Sequence, residues 1–91
     1  MDYEIALGRM KADLGYAEPT PLQTDLMKRK LIAAQYELAD KGIPVGDGHS
    51  ENDDLWISYA AALYRNRDGS RSMPEMVRYQ IRNRQAARAQ R

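Results

Sequence analysis

Ninety-one residues make one domain with a small core, because a chain this short buries only about 60 to 70% of its unfolded surface. The absence of cysteine excludes a disulfide framework and a thiolate metal site, and fits a reducing cytoplasm. A net charge of +1 conceals a dipolar chain: residues 65–91 hold eight arginines against Asp68 and Glu75, or +6, while residues 1–64 hold six basic residues against eleven acids, or −5. Such end-to-end asymmetry argues for assembly with a charged surface and against a self-contained enzyme.

Punctuation along the chain predicts four helices. The first spans about Tyr3 to Leu14, with Ile5, Leu7, Met10 and Leu14 as a partial amphipathic stripe and Gly15 in the C′ position; Gly8 weakens it by about 1 kcal/mol relative to alanine. The second begins at a T-x-x-Q capping box formed by Thr20 and Gln23, with Pro21 at N1, and ends at Gly42. Met27, Leu31, Ala34 and Leu38 share one of its faces, and Lys28, Arg29 and Lys30 cross the other side. Residues 42–52, GIPVGDGHSEN, form a long glycine-rich loop with few apolar anchors, expected to be mobile until it meets a neighbour.

The third helix runs from about Glu51 to Asn66, with Ser50 as candidate cap and Glu51, Asp53 and Asp54 at the positive end of its dipole. Leu55, Trp56, Ile57, Tyr59, Ala60, Ala61, Ala62, Leu63 and Tyr64 leave it almost no polar face, so it should be the central helix. After the turn RDGSR, Ser72 and Glu75 repeat the capping box around Pro74 and open a basic fourth helix. Met76, Val77 and Ile81 are its apolar stripe, and residues 86–91 are expected to fray. With no strand-like alternation and no repeat, the fold class is all-α, a small bundle of about four helices in a single domain over residues 1–91. Its expected core includes Leu31, Leu38, Leu55, Trp56, Tyr59 and Leu63.

Chemical constellations are scarce. His49 is the only histidine and sits between Gly48 and Ser50, with no second histidine or cysteine to complete a zinc site or a triad. The carboxylates of DGHSENDD lack the register of a calcium loop, and no phosphate-binding glycine motif occurs. No catalytic residue, cofactor site or metal site is therefore expected. Trp56, Tyr59 and Tyr64 at helical spacing read as core residues, because aromatics dominate the burial open to a small domain.

The C-terminal series of eight arginines without one lysine tilts from a solvated face toward recognition, since arginine suits bidentate interface pairing. Arg65, Arg67, Arg78, Arg82 and Arg84 are the candidate interface residues, with Tyr64 and Arg65 fixing the hinge that aims the last helix. Arg78, Arg82 and Gln85 fall on one face, opposite much of the apolar stripe. No apolar stretch approaches the roughly 20 residues that cross a bilayer, and the acidic start MDYEIALGRM lacks the pattern of a secretory signal. An intracellular chain without membrane contact is the expectation.

Two blocks carry a family likeness. RMKADLGY followed by TPLQTDLMKRKLIAAQYELADKGI, and DDLWISYAAALYRNRDGSRSMPEMVRYQIRNRQ, resemble the small head-tail connector, or adaptor, proteins of long-tailed bacteriophages over residues 9–85. The stretch Tyr64 to Arg67 and the Met73-Pro74 helix start are the most specific elements, and the glycine-rich loop departs from the usual form. The resemblance implies a structural virion protein, assembled in the bacterial host cytoplasm, whose α-helical protomers form a ring of about twelve copies between portal protein and a tail-side connector or stopper protein. DNA would pass through the lumen without sequence-specific binding, so a strongly basic lumen would be counterproductive. The rival reading is a helical nucleic-acid-binding or regulatory module, in which Arg78, Arg82 and Asn83 enter a groove. An acidic body and a net charge of only +1 weigh against it.

Overall fold

A computed structural model of the chain describes residues 3–45, 50–66 and 73–89. It contains four helices, α1 (Tyr3–Leu14), α2 (Pro21–Asp40), α3 (Ser50–Arg65) and α4 (Glu75–Ala89), and no strand among the described residues. The protein is thus all-α.

Local chemistry sets three of the helix ends. At α2 the Thr20 hydroxyl accepts from the Gln23 amide at 3.1 Å, and the Gln23 side chain returns a 2.9 Å bond to the Thr20 amide, with Pro21 at the first turn. Both α1 and α2 stop in a Schellman motif. Gly15 and Gly42 each adopt φ near 81°, a left-handed conformation in which a side chain is strained. The amides of Tyr16 and Ile43 then reach back to the carbonyls of Lys11 and Leu38, at 2.9 and 2.8 Å. Helix α3 begins at Ser50, one residue earlier than expected, and the capping role expected of the Ser50 side chain lies outside what is described. The loop segment 46–49 with His49, the hinge residue Arg67, the turn RDGSR and the Ser72 cap lie outside the described residues. At its far end α4 runs through Ala89, past residue 86 where the tail was expected to begin.

Packing follows the apolar faces. Of the four helices α3 alone packs on all the others; α1 and α2 also touch each other, and α4 packs on α3 only, among the described residues. Ten of the residues from 52 to 64 on α3 are buried on every side of it, which makes it central. Leu31, Leu38, Leu55, Trp56 and Tyr59 are buried, with Met10, Met27 and Ile43, whereas Leu63 is half-buried at the edge of the cluster. Ala6, Ala34 and Ala60 are fully enclosed, and their small side chains let helix backbones approach closely. Trp56 donates its indole N–H to the Leu31 carbonyl at 2.8 Å and meets Tyr3 edge-on at 5.6 Å, so its polar atom is satisfied inside the core.

Three expectations require correction. Ile5 points outward from α1, since Ala6, Leu7 and Met10 form the buried face. On α4, Val77 and Ile81 are buried but Met76 is 68% exposed; it lies about 100° around the helix from Val77, beyond the surface that α3 covers. The start of the loop also has strong anchors: Ile43 is 2% exposed and Val45 packs against the core, because the Schellman motif turns Ile43 back onto Leu38.

Candidate functional site

Among the described residues no group of three or more His, Cys, Asp or Glu lies close enough to hold a metal. The features that gather polar side chains are instead the two ends of α3 and the surface of α4.

At the C-terminal end of α3, Arg65 donates to the Asp13 carbonyl at 3.0 Å, with the Asp13 carboxylate 3.9 Å away. The carbonyl belongs to the last turn of α1, so the guanidinium sits where the helix dipole favours a cation. Tyr64, buried one residue earlier, stacks edge-on against Tyr16 at 5.9 Å, with their hydroxyls 3.4 Å apart. Tyr64 and Arg65 therefore tie the end of α3 to the end of α1 just before the chain leaves for α4.

At the N-terminal end a polar latch holds α4. Asn52 is buried; its Nδ2 donates to the Pro44 carbonyl at 2.9 Å and its Oδ1 accepts from Arg84 Nε at 2.8 Å. The orientation of the amide is dictated by its partners, since a carbonyl can only accept and a guanidinium can only donate. From the next residue, Gln85 Nε2 donates to the Lys41 carbonyl at 3.1 Å and so caps the C-terminus of α2. Between α3 and α4 an open groove of about 430 Å³ is lined by Asp54, Leu55, Gln80, Asn83, Arg84 and Ala87. The Gln80 Oε1 is buried and accepts no hydrogen bond from a described residue. On the opposite flank of Asp54, Arg9 of α1 forms an ion pair with it.

The arginines thus divide into two sets. Arg65 and Arg84 are bonded within the chain, while Arg78 and Arg82 are exposed and form no ion pair with a described residue. Gln85 reaches the Lys41 carbonyl at the end of α2, whereas Arg78 and Arg82, expected on the same face of α4, are exposed. The latch residues Asn52 and Gln85 carry no sequence motif of their own. A single signal was present for Asn52: an amide at the start of an almost wholly apolar helix. Burial raises the phenol of Tyr59 above the ordinary value of 10.0, and the Glu37 charge pushes the same way.

Comparison with family models, with curated proteins and with solved structures finds no match to this chain.

Proposed function

We propose that this protein is a structural assembly subunit of the head-tail connector type: a virion component that forms an oligomeric ring between portal and tail-side proteins, around the DNA channel. The division of the arginines carries this reading. Two of them spend their donors holding the protomer together, and two face outward on a helix that packs on α3 alone. An appended basic helix with free outward charge, on a body whose first 64 residues carry −5, suits contact between protein surfaces of opposite sign. In this reading the protein is not an enzyme and takes no cofactor, and DNA traverses the lumen without being read.

Native mass spectrometry over a concentration series tests it. A ring-sized species that binds the portal protein of the same particle is the expected result. A protein that stays monomeric and shifts duplex DNA in a salt-dependent way would overturn it in favour of a nucleic-acid-binding module.

A further inference from the structure

Two surfaces of the protomer carry apolar side chains that the core does not explain. On α2 the buried face is Met27, Leu31, Ala34 and Leu38, yet Ile32, Tyr36 and Asp40 line up at four-residue spacing on the opposite side. Tyr36 is 70% exposed and Ile32 is 43% exposed. On α4, where Val77 and Ile81 face α3, Tyr79 is 56% exposed between the exposed Arg78 and Arg82. Aromatic residues and arginine are the types that interfaces enrich.

The two surfaces are complementary in charge. Residues 32–40 of α2 contain Glu37 and Asp40 and no basic residue; residues 76–87 of α4 contain Arg78, Arg82 and Arg84 and no acid. Each helix packs on α3 and neither packs on the other, so within one protomer these faces do not cover each other.

We propose that the outward face of α4, built from Arg78, Tyr79 and Arg82, docks on the outward face of the C-terminal half of α2, built from Ile32, Tyr36 and Asp40, of a second copy of this chain. The inference rests on the assembly reading above and names its contact. Each copy offers one face of each kind, so the contact is head-to-tail and propagates, closing into a ring where the rotation permits. The aromatic pair supplies the apolar centre, and the arginines meet Asp40 and Glu37 at its rim. A rim of this kind selects the partner face and its register more than it adds affinity.

The absence of native cysteine makes the contact directly testable. Tyr36→Cys and Tyr79→Cys are introduced singly and together at these exposed positions, with unchanged Trp56 fluorescence as the check on folding. With a short bismaleimide, a mixture of the two single variants should give a covalent dimer, each single variant alone should give none, and the double variant should give a ladder beyond the dimer. In parallel, Asp40→Arg or Arg82→Asp alone should weaken assembly by about tenfold or more, and the two combined should restore it. A ladder that stops at the dimer, or crosslinking by a single variant alone, overturns the head-to-tail contact. Wild-type oligomers that are indifferent to both charge reversals, and whose cysteine variants do not crosslink, overturn this interface and leave the assembly reading standing. A wild-type chain that remains monomeric at every concentration overturns both.

Discussion

The α1–α2–α3 body and helix α4 are attached to the same central helix by different physics. In the body, apolar faces close on one another around Trp56, Leu31 and Leu38, and the indole N–H of Trp56 is satisfied by a backbone carbonyl. Helix α4 contributes two buried apolar side chains, Val77 and Ile81, and is held in register by a buried amide, a guanidinium and two loop or helix-end carbonyls. Apolar burial is strong and non-directional, whereas a hydrogen-bonded latch is weaker but fixes where a helix points. A small domain that must aim an appended helix has reason to use both.

The largest effect should come from the body. Trp56→Ala removes the largest buried side chain, its bond to Leu31 and its contact with Tyr3, and should cost about 3–5 kcal/mol, enough to unfold a marginal domain. Urea titration followed by circular dichroism measures it; a loss below about 1 kcal/mol would mean that the body is not organised on α3.

The latch should respond differently. Asn52→Ala removes one hydrogen bond to Arg84 and one to the Pro44 carbonyl and should cost about 1–3 kcal/mol. Hydrogen exchange should accelerate in α4 before it does in α2. Asn52→Asp sharpens the distinction, because a carboxylate still accepts from Arg84 but cannot donate to Pro44: α4 should stay protected while residues 43–45 loosen. Equal acceleration in α2 and α4 on Asn52→Ala would show that the two regions open as one unit.

A pH titration probes the body from another side. Tyr59 has its phenol raised above 10.0 in the folded state by burial and then by Glu37, so folding favours the protonated form. This contribution is fully present below pH 10 and is lost as the pH rises through the folded value. Thermal stability should fall in that alkaline window, and Tyr59→Phe should remove the tyrosine component of the fall. An identical alkaline profile in the variant would count against the assignment.

The smallest effect on folding should come from the outer surface of α4. Arg78→Ala with Arg82→Ala should change stability by no more than about 0.5 kcal/mol, since both side chains are exposed, while measurably weakening assembly. Normal oligomers from the double variant would make these arginines a solvated face.

Helix existence and several helix ends were written in single residues. The Thr20–Gln23 box, Pro21, Gly15 and Gly42 act on backbone groups within five residues, so their chemistry is complete before any tertiary contact forms. The central position of α3 was legible for a related reason: a helix apolar on every side must be covered on every side. The sequence could not say which of two adjacent apolar residues faces inward. Val77 and Met76, or Ala6 and Ile5, are interchangeable by pattern, and only the angle at which the helix settles on α3 or α2 separates them. The latch was hidden for the same reason, because Asn52, Pro44, Arg84, Gln85 and Lys41 come from three helix ends and a loop and share no spacing. Local chemistry therefore determined where helices start and stop. Tertiary packing decided which arginines are bonded inside the protomer and which remain exposed, because that division depends on groups 32 or more residues apart in the chain.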